Sequence, residues 1–291
     1  MMTDEPRKQT PGVYRRRVGD AMVTVINDGF LDISVAILRG TDRGDMEGLM
    51  REQFRHTEPR LTVNAFVIET GKNTVLVDAG GGSTTVYSMG LLPQNLEAAG
   101  FKPTDFDTVL LTHIHPDHSS GLMDTSGKPL FPRAEVIVHR DDLDFWSNPE
   151  KAEKSAAARP YTGSADALLS SYRGHFHPAE GGEVVPGIRQ LPLPGHTPGH
   201  SGYQLDSAGE TLVMWGDTVH VPEIQIPRPQ VTSEFDVDEA LAHENRRKIF
   251  EHVANERLLV TGGHLHLPGF AHLVKAGDGF RLVPESWMVQ L

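Results

Sequence analysis

The run His113, Ile114, His115, Pro116, Asp117, His118 places four metal-capable side chains within six residues. Phe106 to Leu111, just before it, reads as a short apolar strand that delivers Thr112 and then the cluster. On an extended segment, His113 and His115 point to the same side. Pro116 restricts the backbone and argues against a regular helix through the middle of the run. So many imidazoles and carboxylates crowd unfavourably unless a cation occupies their centre, because they otherwise compete for solvation and hydrogen bonds. A solvated polar loop is the bland alternative, but further candidates recur downstream in a common setting. His196 stands in LPLPGHTPGH, Asp217 in VMWGDTVH and His264 in VTGGHLHLPG, each after an apolar, strand-like approach and beside or close to glycine.

Working outward, AMVTVINDG from Ala21 reads as a strand that ends in a turn at Asn27, Asp28, Gly29. Residues 36 to 60 have no strong period and read as a loop or short helix. LTVNAFVIE (61 to 69) and NTVLVDAG (73 to 80) are strands joined by a short glycine-containing hairpin. LLPQNLEAAG carries one apolar helix face and ends at Gly100. AEVIVHR, GIRQLPLPG, SGYQLDSAG, ETLVMWGD, RLLVTGG and GFRLVP read as strands, and DDLDFWSNPEKAEKSAAA as a helical or irregular insertion. The clearest amphipathic helix is DVDEALAHENRRKIFEHVAN, with Ala240, Leu241, Phe250 and Val253 as candidate buried positions. Residues 1–17, charged and with two prolines, read as a loose amino-terminal arm. Because the metal candidates run from residue 113 to residue 264, residues 18–291 form one domain of strands and helices.

Bulk properties narrow the function. The 291 residues carry a net charge of -12 and are 38% hydrophobic, which fits a folded protein and supplies no basic stripe for nucleic acid. No stretch approaches about 18 apolar residues, and no apolar segment follows the charged start, so neither a membrane span nor a secretory signal is expected. A cytoplasmic location is the default expectation. There is no cysteine, so any metal must be held by nitrogen and oxygen.

Together VLVDAG, LLTHIHPDHSSGL, PGHTPGH, WGD and HLHLPG, in this order, resemble the metallo-β-lactamase-fold hydrolase superfamily. The resemblance spans nearly the whole chain and implies an α/β fold, an αββα sandwich of two mixed β-sheets flanked by helices, with the metals at one edge between the sheets. It implies one ion held by His113, His115 and His196 and another by Asp117, His118 and His264. Asp217 would bridge the ions, and a bridging hydroxide would be the nucleophile, with Asp117 orienting it. Zinc is the first expectation, and manganese, iron or cobalt are admitted by the same donors. Asp78 is expected to support the ligands by accepting an imidazole proton or fixing its loop, and His200 to be a structural hydrogen-bonding residue.

TPGVYRRRVGD, DLDFW, HLHLPGFAHL and GFRLVP point further, to the branch of methyl parathion hydrolase-like enzymes and related lactonases. That branch implies hydrolysis of an ester or lactone, with a promiscuous arylesterase or lactonase as the preferred description and a small molecule as the partner. A phosphotriester hydrolase is the nearest alternative. A glyoxalase-II-like thioesterase and a mononuclear-iron persulfide dioxygenase-like oxidoreductase are more distant ones. The resemblance also admits a homodimer. Phe145, Trp146 and Phe270 are candidate walls of the substrate pocket. His220 occupies the place where related lactonases carry a tyrosine after the bridging aspartate. It is assigned a catalytic role, donating a hydrogen bond or protonating the leaving group, against the alternative of a purely structural imidazole.

Overall fold

The computed structural model describes residues 9–82 and 86–291. In chain order the strands of the first half are β1 (Val13–Val18), β2 (Ala21–Asp32), β3 (Leu38–Arg39), β4 (Arg60–Glu69), β5 (Thr74–Val77), β6 (Thr108–Leu110), β7 (Glu135–His139) and β8 (Phe176–Ala179). Those of the second half are β9 (Gly182–Val185), β10 (Ile188–Pro192), β11 (Ser201–Ser207), β12 (Glu210–Met214), β13 (Thr232–Ser233), β14 (Leu259–Thr261), β15 (Ala271–Ala276) and β16 (Gly279–Pro284). The helices are α1 (Arg43–Glu52), α2 (Leu92–Ala98), α3 (Pro116–Ser119), α4 (Arg140–Trp146), α5 (Pro149–Lys154), α6 (Thr162–Ser171), α7 (Pro222–Gln225) and α8 (Glu239–Asn255).

One sheet has the order β1-β2-β4-β5-β6-β7-β8 and the other the order β16-β15-β14-β12-β11-β10-β9. Both are mixed. The first is antiparallel from β1 to β5 and parallel from β5 to β8, whereas β12 and β14 make the parallel pair of the second. The near-continuous apolar runs of β4 and β5 follow from burial on both faces. Phe66, Ile68, Val75 and Val77 point to the second sheet, where they meet Tyr203, Leu205, Leu212 and Met214. Their alternates Ala65, Val67 and Leu76 point outward to Leu96 of α2, Trp146 of α4 and Leu168 of α6. On the far side, Ile249, Phe250 and Val253 of α8 cover Val213, Val260 and Leu273 of the second sheet. The layers therefore run helix, sheet, sheet, helix, the expected αββα sandwich of two mixed sheets.

Several boundaries differ from the sequence reading. Residues 1–8 of the expected arm lie outside the described residues, and the arm's far end is no arm, since Val13–Val18 pairs along its length with β2. Asn27, Asp28, Gly29 is not a turn but a bulge. Beyond it β2 continues to Asp32, because the Asn27 amide bonds Val63 O and Asn64 Oδ1 and holds the strand on β4. Residues 36 to 60 contain a ten-residue helix, α1. In α8 the buried stripe is Ala242, Arg246, Ile249, Phe250 and Val253. Ala240 is exposed and Leu241 half-buried. At about 100° per residue, Ala240 falls opposite Ala242 and the rest of the stripe. No helix among the described residues is long and apolar enough to cross a membrane.

Candidate metal centre

The cluster sits where β6 leaves its sheet. The exit is tied to the second sheet by Tyr203 Oη, which donates to Leu111 O (2.8 Å), and by Ser201 N, which donates to Thr112 O (2.9 Å). His113 to His115 then run extended, and their rings meet edge to face 4.6 Å apart. Pro116 does not keep the rest of the run from being helical. It is the first residue of α3, where its missing N–H is one that a first turn leaves unpaired anyway. The turn of α3 brings Asp117 and His118 round to face the same space.

The distant candidates converge on this point. His115 Nδ1 and His196 Nε2 lie 2.9 Å apart. Asp217 Oδ2 is 3.5 Å from His196 Nε2, 3.8 Å from His113 Nε2 and 3.2 Å from His264 Nε2, while its Oδ1 is 3.0 Å from His118 Nε2. Asp117 Oδ2 is 3.5 Å from both His118 Nε2 and His264 Nε2. Two donor groups result: His113, His115, His196 and Asp117, His118, Asp217, His264. A third, overlapping group joins His196 and Asp217 to His220, whose Nε2 is 3.3 Å from Asp217 Oδ2. Gly263 allows this closeness, since a Cβ there would lie 2.9 Å from His118 Cε1.

Whether these residues suit divalent cations is answered by their unmet valences. Nε2 of His113, Nε2 of His118 and Oδ1 of Asp217 are buried without a hydrogen-bond partner. Each such atom costs on the order of 1–3 kcal/mol when left unpaired. Lone pairs of imidazole and carboxylate turned on one another are the donor set of a borderline divalent ion. Burial and neighbouring imidazoles push His113 and His115 well below the usual histidine range, so both are neutral and able to ligate. Burial alone would lower His118 too, but Asp217, Asp117 and Asp78 outweigh it and hold that imidazole well above its ordinary value. Burial likewise raises Asp217, and the His118 and His264 charges reverse this and hold it well below the carboxylate range. A strong cationic partner is what these carboxylates are arranged to receive.

The outward nitrogens are held by a second ring of groups. Asp78 accepts from His118 Nδ1 (2.8 Å) and from Thr112 N and Oγ1, and Thr112 Oγ1 meets His113 Nδ1 at 3.0 Å. Thr62 O of β4 meets His264 Nδ1 at 2.8 Å, and Asn64 Nδ2 donates to Leu265 O, so β4 clamps the final loop. His200 is not turned to the centre. It accepts from Asp217 N (2.9 Å) through Nε2 and donates to Leu193 O through Nδ1. It thereby fixes the backbone of the central aspartate, and burial lowers its pKa to about 3, keeping it neutral. Gly216 makes room for it, because a Cβ there would lie 2.6 Å from His200 Nε2.

Three functional neighbours were missed by the sequence reading. Asp236 takes His196 Nδ1 (2.9 Å) and Ser233 N. Asp142, fully buried at the start of α4, accepts from Ile114 N and Gly199 N and so ties the two histidine loops together. Tyr161 lies with its ring 4.9 Å from that of His115. Nothing in the sequence separates Asp236 from the acids around it or Asp142 from Asp141 and Asp144.

The expected substrate walls are placed otherwise. Phe145 is buried in the outer core, edge-on to Trp146. Trp146 reaches the centre's edge, 5.7 Å from the His115 ring, but is itself buried. Phe270 is buried between the sheets against Tyr14 and borders a separate cavity of about 370 Å³ with His266 and Leu267. None of the three lines the cavity of about 750 Å³ that reaches the buried His220 and is walled by Phe30, Met50, Leu61, Val221 and Leu267. The apolar area of Phe145 and Trp146 is used in packing, which is the ordinary fate of large side chains in sheet-covering helices.

Comparison with known proteins agrees with this architecture. The family model described as the metallo-beta-lactamase superfamily matches residues 59–287. An N-acyl homoserine lactonase from Bacillus sp is 26% identical over 224 residues, covering 70% of this chain and 81% of its own length. The crystal structure of the hydrolase AbOPH, in the beta lactamase superfamily, superposes with a TM-score of 0.91 at 30% identity over 97% of this chain and 100% of that one. The dizinc quorum-quenching lactonase AidC has a TM-score of 0.90 at 23% identity over 96% and 99% of the two chains, a likeness of fold. The family match begins at the strand that clamps the His264 loop, runs past the last strand of the second sheet and takes in every residue of the cluster: this chain belongs to the metallo-beta-lactamase superfamily.

Proposed function

We propose that this protein is a dinuclear metal-dependent hydrolase that cleaves an uncharged ester or lactone. The observation that carries the reading is Asp217, one carboxylate facing two nitrogen and oxygen donor groups, beside a cavity large enough for a drug-sized ligand. His113, His115 and His196 would hold one ion and Asp117, His118 and His264 the other, with Asp217 shared between them. Zinc suits the donors best. Bound there, the pair of ions supplies Lewis acidity and a water nucleophile available at neutral pH.

The chain's own groups do the rest. His220 lies where the cavity meets the cluster, with Nε2 3.3 Å from Asp217 Oδ2 and Nδ1 unpaired, and its proposed role is to donate to the substrate's carbonyl or leaving oxygen. Burial lowers its pKa, against the pull of Asp217, so it acts as a neutral imidazole. The cavity's arginines are both neutralised: Arg55 Nε is 2.9 Å from Glu223, and Arg60 makes two bonds to Asp32. Uncharged substrates are favoured over an anionic glutathione thioester on this ground. The relatives named N-acyl homoserine lactonases support a lactone.

Metal analysis with a substrate panel tests the proposal. Two ions per chain are expected, with higher kcat/KM on lactones or aryl esters than on phosphotriesters, glutathione thioesters or β-lactams. Asp217→Ala is expected to lose the paired ions and at least about a hundredfold in turnover, since disturbing even a ligand's supporting partner costs about 10–100-fold. A single iron with oxygen consumption, or full activity and metal content in that variant, overturns it.

A further inference from the structure

Among the described residues, three helices end around a left-handed residue with the next N–H bonded to the carbonyl five residues back. In α2, Gly100 N donates to Glu97 O and Phe101 N to Leu96 O, both at 2.9 Å, with Gly100 at φ +90°. In α8, Leu258 N donates to Val253 O (2.9 Å) around Arg257 at φ +54°. In α1, Phe54 N donates to Arg51 O (3.0 Å) and Arg55 N to Met50 O (2.9 Å), with Phe54 at φ +57°. The left-handed position of this cap favours glycine, because a Cβ there crowds the backbone. Arg257 occupies it with a side chain that water solvates. Phe54 adds a second penalty, since its ring is 98% exposed. Neither the helix nor the core accounts for a phenylalanine here.

The cavity does. Phe54 stands at the solvent-exposed rim of the cavity that Phe30, Met50 and Leu267 also line and that reaches His220. Leu267 is itself 40% exposed, so apolar surface is presented on more than one side of the opening. We propose that Phe54 is a specificity-determining residue, whose ring packs on the apolar acyl or aryl group of an uncharged substrate held with its reacting end beside His220. The inference rests on the hydrolase reading for the identity of the occupant. Arg55, the next residue, also lines the cavity, but its guanidinium is paired with Glu223 (2.9 Å), so no unpaired cation stands beside the Phe54 ring. Substrates with a long apolar chain gain the contact, and short ones do not reach it.

The test is calorimetric titration of the metal-loaded wild type, Phe54→Gly and Phe54→Leu with octanamide and butanamide, neutral chains that need no turnover to be read. Phe54→Gly is expected to bind octanamide about tenfold more weakly and butanamide equally well, while Phe54→Leu keeps most of the octanamide affinity. The melting temperature of Phe54→Gly should equal or exceed that of wild type, because glycine relieves the left-handed position. In kinetics, the preference for p-nitrophenyl octanoate over the butanoate should fall about tenfold through KM with kcat unchanged. Equal octanamide affinity in wild type and Phe54→Gly, equal losses for both amides, or a wild-type dimer that Phe54→Gly dissociates would overturn the proposal. A wild type that binds octanamide through Phe54 but hydrolyses no ester would refute the hydrolase reading and not this one.

Discussion

Asp78 and Asp236 hold the cluster from two sides, each taking the outward nitrogen of an imidazole whose other nitrogen faces in. Such partners fix both ring orientation and tautomer. Asp236→Asn is therefore expected to weaken metal binding by about 10–100-fold, read by competition with a chelator of known affinity. Asp28 makes a separate prediction. Burial, opposed by N–H donors from Leu92, Gly81 and Gly90, pushes its carboxyl up to about 6. The unfolded chain releases that proton near pH 4, so between roughly pH 4 and 6 the folded state holds more protons and stability falls as pH rises. Above about pH 6 the cost is constant. In the metal-free protein, urea unfolding of Asp28→Asn should lack this descent, so the variant gains about 2 kcal/mol relative to wild type between pH 4 and 6. A constant difference across that range would contradict it. The ligands proposed here were legible because four of them stand within six residues. Asp236 was not, since Glu234, Asp238 and Glu239 surround it with the same charge.

At the scale of elements, α8 shows how one stripe both covers a sheet and fixes a loop. Phe250 packs on Trp215 and Phe280 at ring distances of 5.6 and 5.3 Å. Phe250→Ala should cost about 3–5 kcal/mol in chemical denaturation, because the site is enclosed and cannot collapse. From the same stripe, buried Arg246 donates to Thr218 O, Pro229 O and Val231 O, and so holds the segment that carries His220. Asp238 caps the helix by accepting from Leu241 N, and Asp238→Ala should cost about 1 kcal/mol in the same assay. The strands and long helix were readable from apolar runs and period. The bulge at Asn27 to Gly29 and the edge strand β1 were not. Turn-forming residues look alike in bulges and turns, and the arginine-rich β1 gains its order from pairing with β2 rather than from its own composition.

For the whole molecule, the cluster is a cross-link between layers. His113 to His118 follow β6 of the first sheet, while His196, Asp217 and His264 follow β10, β12 and β14 of the second. Cations bound there belong to the folded state alone, so removing them with a chelator should lower the melting temperature, by an amount equivalent to about 4 kcal/mol when the free metal had been a thousandfold above its Kd. Scanning calorimetry of loaded and chelated protein checks this, and identical curves would contradict it. By itself the sequence determined which segments are strands and helices and the donor types at the centre, because apolar period and the chemistry of histidine and aspartate are local properties, while the αββα layering was implied by the family resemblance of its motifs. Tertiary structure alone decided which carboxylates steady which imidazoles, that Phe145 is spent in packing, and that the larger cavity is walled from α1, α7 and the final loop. Those are contacts between residues up to about two hundred positions apart, such as Thr62 with His264, and no local pattern encodes which long-range neighbours two packed sheets will bring together.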